Sequence, residues 1–337
     1  MIKIAVDGLG SDEAPKPEIL GVEKALEENP ELNIILIGKK ELFPISLLKE
    51  KFSERIEFLE CESTTLSFDS PVELLKRKLN NSIVSAVSLM KENKVSAVVS
   101  AGDTGALLVI ALKFLGTLEG ILRPAIGILL PTQMGFSLLI DAGANPTVKP
   151  INLWQFGILG SLTYELLFKK ANPTIGLLNI GKEENKGTEL YQQSYNLLKN
   201  SPLNFIGNIE GCDIFKGVVD VIVCDGFVGN ILLKFGEGIV ETLNQALKNY
   251  LSSETKYRMR RWFSKPVLEE FIEKLNYEEQ GGGILLGING TIVVAHGRSN
   301  ERAIKNAIQT AAFFAQSNLV SFLKENLPFY LNIKNGN

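Results

Sequence analysis

The chain has one histidine, two tryptophans and three cysteines in 337 residues, and these scarcities set the first limits on its chemistry. Cys61, Cys212 and Cys224 are odd in number and form no C-x-x-C pair. They predict reduced thiols and exclude a disulfide framework or a cysteine zinc site. Positive charge is not in excess either: a net charge of −3 and a pI near 5.6 give no reason to expect a nucleic-acid partner. No apolar run approaches the roughly 18 residues that a spanning helix needs. The best candidate, which begins after Gly105, is broken at Lys113. The chain enters Ile2-Lys3-Ile4-Ala5-Val6 with no basic stretch or cleavage site before it, so no signal peptide is expected and residence in the cytoplasm is. Internal repeats and low-complexity tracts are missing as well.

What is present is a hydrophobic content of 45%, ample for a sizeable core. From Ile2 to Leu130 short β-branched runs alternate with helical patterns. Ile2 to Val6 is followed by a helix from about Pro15, Asn33 to Ile37 by a helix near Leu42, and Ile56 to Leu59 by a long helix from about Pro71. Alternation of this kind predicts an α/β architecture with a mostly parallel sheet and helices on both faces. Ligands then gather at the carboxyl ends of the strands.

Those ends carry small and polar residues. The apolar run Ala97 to Val99 stops at Ser100-Ala101-Gly102-Asp103-Thr104-Gly105, and an apolar helical segment begins at once. Strand, tight turn and helix N-terminus in that order form either an anion site, built from backbone N–H groups and the helix dipole, or an ordinary connection capped by Asp103 or Thr104. Similar ends follow Val6 (Asp7-Gly8-Leu9-Gly10-Ser11), Ile140 (Asp141-Ala142-Gly143-Ala144-Asn145), Asn179 (Ile180 to Gly187), Cys224 (Asp225 to Asn230) and Ala295 (His296 to Asn300).

Between Tyr250 and Gly283 the character changes. Lys256, Arg258, Arg260, Arg261 and Lys265 surround Trp262-Phe263 with no acidic residue among them, and Val267, Leu268, Phe271, Ile272 and Leu275 then recur at helical spacing. A helical arm over about 250–283 is expected, with Gly281-Gly282-Gly283 as a flexible return to the sheet. Residues 256–275 suit a membrane surface, an acidic carrier protein or a second subunit.

Taken in order, VDGLGSDEAP (Val6 to Pro15), SAGDTGAL (Ser100 to Leu107), DAGAN (Asp141 to Asn145), GLLNIGKEENKGTEL (Gly176 to Leu190), FIGNIEG (Phe205 to Gly211), DIFKG (Asp213 to Gly217), DVIVCDGFVGN (Asp220 to Asn230) and GINGTIVVAHGRSNERAIKNAI (Gly287 to Ile308) resemble the bacterial phosphate acyltransferases. Enzymes of that family make acyl-phosphate from acyl carrier protein thioester and inorganic phosphate in phospholipid synthesis. The resemblance spans nearly the whole chain. It implies one three-layer α/β/α domain like those of phosphotransacetylase and isopropylmalate dehydrogenase, with a protruding arm, assembled as a homodimer and using no metal or organic cofactor. The chain departs from the family at Gly8-Leu9-Gly10-Ser11 (usually Ala-Met-Gly-Gly), Asp103 (Asn), Cys212 (Arg), Arg298 (a small residue) and Pro146-Thr147-Val148. Asp103 is the consequential one, because a carboxylate repels phosphate unless it is neutralised or protonated.

The implied reaction is attack of a phosphate oxygen on a thioester carbonyl with departure of a thiolate. Neither needs a strong acid or base, so positioning and charge stabilisation dominate. Lys186 and Asn230 match motifs that the family places at its active site; Lys186 then holds phosphate and Asn230 donates to the developing oxyanion, against the plain alternatives of a solvated lysine and an asparagine cap. His296 orients phosphate, protonates the leaving sulfur, or is a hydrogen-bonded structural residue. Substrate-binding candidates are Asp7, Gly10, Ser100, Gly102, Asp103, Thr104, Gly105, Asn145, Asn179, Gly229 and Asn289. Ser100 and Thr104 lack a base partner in sequence, which favours phosphate ligation or capping over nucleophilic attack. Cys224 lies in an apolar strand with no histidine nearby in sequence and reads as an inert buried thiol. The competing functions are acyl transfer with coenzyme A, a decarboxylating NAD-dependent dehydrogenase, whose acidic metal ligands are not traceable, and a non-catalytic phosphate- or lipid-binding scaffold.

Overall fold

The computed structural model describes residues 2–61, 81–253 and 281–332. The expected helix from Pro71 begins outside these residues, and so does the body of the expected arm, including all of 256–275. In chain order the first part comprises β1 (Ile2–Asp7), α1 (Lys16–Glu28), β2 (Leu32–Gly38), α2 (Ile45–Phe52), β3 (Ile56–Glu60), α3 (Ser82–Lys91), β4 (Ala97–Ser100) and α4 (Thr104–Leu115). The middle holds β5 (Ala125–Thr132), β6 (Gly135–Ile140), α5 (Pro150–Phe168), β7 (Ile175–Leu178), α6 (Glu189–Lys199), β8 (Phe205–Ile209), β9 (Val221–Val223) and α7 (Gly226–Ser253). The chain ends with β10 (Gly283–Leu286), β11 (Ile292–Val294), α8 (Glu301–Gln316) and α9 (Leu319–Asn332).

The strands join one sheet in the order β3-β2-β1-β4-β11-β10-β5-β6-β9-β7-β8. Two parallel blocks make up its ends: β3-β2-β1-β4-β11 on one side and β6-β9-β7-β8 on the other. Three antiparallel pairings, β11 with β10, β10 with β5 and β5 with β6, separate the blocks. Three reversals leave the two blocks running in opposite directions. The sheet is therefore mostly parallel, as the alternation predicted, yet its strand ends do not share one edge.

Strands buried on both faces explain the β-branched runs. Ile4, Ile34, Leu36 and Ile37 are fully enclosed, with α1 and α8 packed together on one side. In the other block α5 is apolar around its whole circumference, burying Leu153, Phe156, Ile158 and Leu159 against β6, β9 and α6. No helix among the described residues is long and apolar enough to cross a membrane.

The triple glycine has a conformational requirement. Gly281 and Gly282 have φ of +98° and +77°, a region that only glycine enters readily. Gly283 is already the first residue of β10, where a Cβ would lie 2.6 Å from Cγ2 of Ile126 on the neighbouring strand. Left-handed backbone and close strand packing require glycine here.

Candidate active site

A cleft of about 530 Å³ opens where the carboxyl ends of β1, β4 and β11 meet the end of β6, with β5 crossing its floor. Ile126 and Ile128, on one face of β5, form that floor. On one side stand the loops after β1, β4 and β11; on the other stands the first part of α7.

The loops after β1 and β4 touch backbone to backbone. A Cβ on Gly10 would lie 2.7 Å from the Gly102 nitrogen, so a side chain there would push the two apart. Beneath them Asp7 is enclosed: its Oδ2 accepts from Ser100 Oγ at 2.7 Å and its Oδ1 from the Leu9 N–H at 3.1 Å. Ser100 Oγ in turn accepts from the Gly102 N–H at 3.1 Å. Burial pushes the Asp7 carboxyl above the usual carboxylate range, with the Ser100 and Leu9 hydrogen bonds acting against the rise. Asp7 and Ser100 were expected to touch substrate; instead they hold the Gly102 turn in shape from below. Glu18, on α1, does the same for the other loop, accepting from the Ser11 N–H at 2.8 Å, and burial pushes its carboxyl up too.

Asp103 is the N-cap of α4, its Oδ1 accepting from the Ala106 N–H at 2.6 Å. Capping by Asp103 and an anion site are therefore compatible. The N–H groups of Thr104 and Gly105 in the first turn have no helical acceptor and carry the positive end of the dipole. Gly102, Asp103 and Thr104 line the cleft, and Gly105 does not.

Opposite, Asp225 caps α7 through the Val228 N–H at 2.9 Å, and the Tyr191 hydroxyl donates to its other oxygen at 2.6 Å. The helix sits hard against the loop after β6: a Cβ on Gly229 would run into the Asp141 carbonyl oxygen. Gly229 is thus a residue of close approach, and it is not among those that line the cleft. One turn carries Asn230 into the cleft beside Gly143, whose added Cβ would be 3.6 Å from that of Asn230. The Asp141 carboxylate organises this loop. Its Oδ1 accepts from the Ile126, Gly143 and Ala144 N–H groups at 3.0, 3.1 and 2.9 Å. Its Oδ2 accepts from Asn145 N and Nδ2 at 2.7 and 2.8 Å. Asn145 also donates to the Pro124 carbonyl at 2.7 Å and is buried, so it clamps the loop and does not face substrate.

After β11, His296 lines the cleft with Asp12, Arg298 and Ser299 nearby. His296 Nδ1 accepts from the Arg298 N–H at 3.1 Å, so a neutral ring carries its hydrogen on Nε2. The Asp12 N–H donates to the Gly297 carbonyl at 2.7 Å, joining the loops after β1 and β11.

Three further predicted residues fall outside the cleft wall. Lys186 lies on the loop between β7 and α6, half exposed, with Nζ 3.7 Å from Glu183. Asn179 donates to the Lys186 carbonyl at 3.1 Å and to Asn208 at 3.2 Å, bracing that loop. Asn289, in the turn between β10 and β11, donates to the Leu115 and Thr117 carbonyls at 3.2 and 2.8 Å and locks the end of α4. That turn joins the opposite ends of β10 and β11 from those that meet the cleft. Cys224 is buried with Sγ 3.5 Å from the Asp141 carbonyl, and burial pushes its thiol well up, so it is no nucleophile.

With this geometry in view, the comparisons with known proteins are direct. The fatty acid synthesis protein family model matches residues 2–321. Phosphate acyltransferases of Clostridium tetani and Heliobacterium modesticaldum are 42% and 43% identical over 327 and 330 residues, 97% of this chain and 98% of each relative. The chain belongs to the phosphate acyltransferase family. It is an enzyme that moves a fatty acyl group onto phosphate. Among solved structures, a phosphotransacetylase from Streptococcus pyogenes aligns at a TM-score of 0.61 and 18% identity over 94% of both chains. A branched-chain phosphotransacylase from Enterococcus faecalis V583 aligns at 0.58 and 16%, over 95% of this chain and 99% of its own. These two show that the phosphate acyltransferase chain has the phosphotransacetylase α/β/α fold.

Sequence reasoning missed Lys234 and Glu237, which line the same wall as Asn230 and Leu233. The signal was available: 230, 233, 234 and 237 follow the i, i+3, i+4, i+7 spacing of one helical face. It also missed Ile126 and Ile128, because the strand that holds them reads as a continuous apolar run with no alternation to mark a face. The acidic group Glu210, Cys212 and Asp213 lies elsewhere. There Lys182 and Lys216, each 2.9 Å from an Asp213 oxygen, hold that carboxyl far below the usual range.

Proposed function

We propose that this enzyme takes its fatty acyl group from an acyl carrier protein thioester, with phosphate seated on the Gly102–Gly105 turn and the carbonyl oxygen facing Asn230. The observation that carries the reading is the placement of Asn230 and His296 around the same cleft as the N-terminus of α4. A phosphate oxygen attacks the carbonyl carbon; the developing oxyanion receives the Asn230 amide hydrogen bond. The C–S bond then breaks and the thiolate departs. His296 Nε2–H orients a phosphate oxygen or hands its proton to the leaving sulfur. Because the nucleophile is already an anion and the thiolate a good leaving group, donors fixed in place account for most of the rate. Lys234 and Arg298 offset the charge that Asp12, Asp103 and Glu237 bring to the cleft. Lys186, exposed on the β7–α6 loop, is assigned to the approach of the acidic carrier protein.

Phe227, Ile231, Phe235, Ile239 and Leu243 form an exposed apolar stripe along α7, which supports a homodimer. The cations and apolar residues of 256–275 support peripheral contact with the membrane, where the acyl-phosphate product is used. The test of the donor uses palmitoyl carrier protein and palmitoyl coenzyme A in parallel, each with phosphate and a chelator, with acyl-phosphate trapped as hydroxamate. Faster turnover of the carrier-protein thioester is expected. Equal or better use of the coenzyme A thioester would overturn the donor assignment.

A further inference from the structure

A second cavity, of about 380 Å³, lies behind the floor of the cleft. Gly127, Leu129, Leu138 and Ile284 of the sheet form its base, with Leu167 of α5 and Phe313 of α8 on its sides. Asn306, Gln309 and Thr310 give it a polar rim along α8. The strand period of two explains the relation between the cavities: Ile126 and Ile128 point into the cleft, while Gly127 and Leu129 point into the groove behind.

Gly282 borders both spaces. Strand β10 begins only at Gly283, whose neighbour Ile284 pairs with Gly127. Beyond that point Leu129 to Thr132 of β5 continue with β6 alongside and, among the described residues, without β10. Among the described residues, what separates the two spaces at the start of β10 is therefore a residue with no side chain. None can be added there, since φ is +77° and a Cβ would lie 2.6 Å from the Val294 carbonyl oxygen.

We infer that this groove holds the hydrocarbon tail of the fatty acyl group. Around its apolar floor of Ile126 and Ile128 the cleft carries five charged side chains, Asp12, Asp103, Lys234, Glu237 and Arg298, from which a long alkyl chain gains nothing. The groove that shares Gly282 with it has, among the described residues, no charged residue in its lining. A thioester or acyl-phosphate head stays beside Asn230, and the tail turns over Gly282 onto Leu129, Leu138 and Phe313. Each methylene moved from water onto such a surface strengthens binding by about fourfold. This inference rests on acyl-phosphate as the product, and not on which thioester supplies the acyl group.

Calorimetric binding of butanoyl phosphate and dodecanoyl phosphate to the full chain tests it. Wild-type protein is expected to bind the longer ligand at least about 100-fold more tightly, a conservative figure for eight added methylenes. Leu129→Trp and Phe313→Trp fill the groove from two different elements. Each is expected to weaken dodecanoyl phosphate by about tenfold or more and leave butanoyl phosphate within about twofold. Retained butanoyl phosphate binding also reports that the variant is folded, and Phe313, on an exposed helical face, carries the test if the strand variant does not fold. The inference is overturned by equal binding of both ligands to wild type, by an unchanged length preference in a folded variant, or by equal loss of both ligands. Dissociation of an oligomer with the length preference intact would likewise overturn it, making the groove a subunit interface. Failure of the carrier-protein donor would appear separately, as equal or faster turnover of palmitoyl coenzyme A, and leaves this binding measurement standing.

Discussion

Replacing Asp141 by Asn changes one oxygen into an amide and should expose how far the cleft depends on the loop after β6. The carboxylate accepts three N–H groups on Oδ1 and two on Oδ2. Burial alone pushes its pKa up, and these donors oppose that rise. In the best orientation the new amide nitrogen faces the two Asn145 donors, at 2.7 and 2.8 Å in the wild type. Rotating the Asn145 amide to accommodate it would sacrifice the 2.7 Å bond to the Pro124 carbonyl. Hydrogen bonds to a charged group contribute about 1.5–3 kcal/mol each, so losing two costs about 3–6 kcal/mol. Relief from burying a charge offsets part of this, leaving about 3 kcal/mol. Unfolding entropy of about 2.1 cal/mol/K per residue over 337 residues turns that into a Tm lower by about 4 °C. The catalytic effect should accompany it, because Gly143 lies under Asn230 and Gly229 presses on the Asp141 carbonyl. Calorimetric melting at one scan rate, together with kcat on palmitoyl carrier protein, measures both. A Tm within about 1 °C of wild type with unchanged kcat would refute the view that this carboxylate positions the α7 wall.

Asn230→Ala should lower kcat by about 100-fold with the fold intact, as loss of an oxyanion donor does; a near-normal rate would remove Asn230 from the mechanism. Lys186→Ala is expected to raise KM for the carrier-protein thioester with less than about a tenfold change in kcat, and a fall of about 100-fold in kcat would put Lys186 back at the phosphate. Asp103→Asn keeps a capping oxygen for the Ala106 N–H while removing a charge next to the anion turn, so the KM for phosphate should fall. A higher KM would mean that the carboxylate is needed. Glu18→Gln addresses pH: the folded pKa of Glu18 lies above its ordinary 4.5 because of burial, so the folded protein retains a proton that the unfolded chain releases. Its stabilising share is complete below that value and is lost as pH rises through the folded pKa. Melting curves should show wild type losing more stability than the variant as pH rises above 4.5, and parallel curves would contradict the assignment.

Much of this enzyme was legible in its sequence because the relevant signals are local. The runs ending at Val6, Val99, Ile140 and Cys224 are strands, and each delivers glycine and polar residues to a turn before the next element. Glycine spacing at Gly8-Leu9-Gly10 and the cap at Asp103 follow from backbone geometry within a few residues. Strands β5, β8 and β10 were harder to read, being short or uniformly apolar and interrupted by Gly127, Gly207 and the glycines before Ile284. Only the tertiary structure decided which strand ends meet. Three antiparallel pairings reverse one half of the sheet against the other, and no residue announces the direction of a partner 150 positions away in roughly uniform apolar sequence. That reversal brings Asn230 and His296 to one cleft and sends the Asn289 turn to the far end of β10 and β11. It also put Asp7, Ser100 and Asn145 beneath the surface, where burial and hydrogen bonding turn expected ligands into supports. Periodicity tells which residues share a face; long-range pairing alone tells what that face meets.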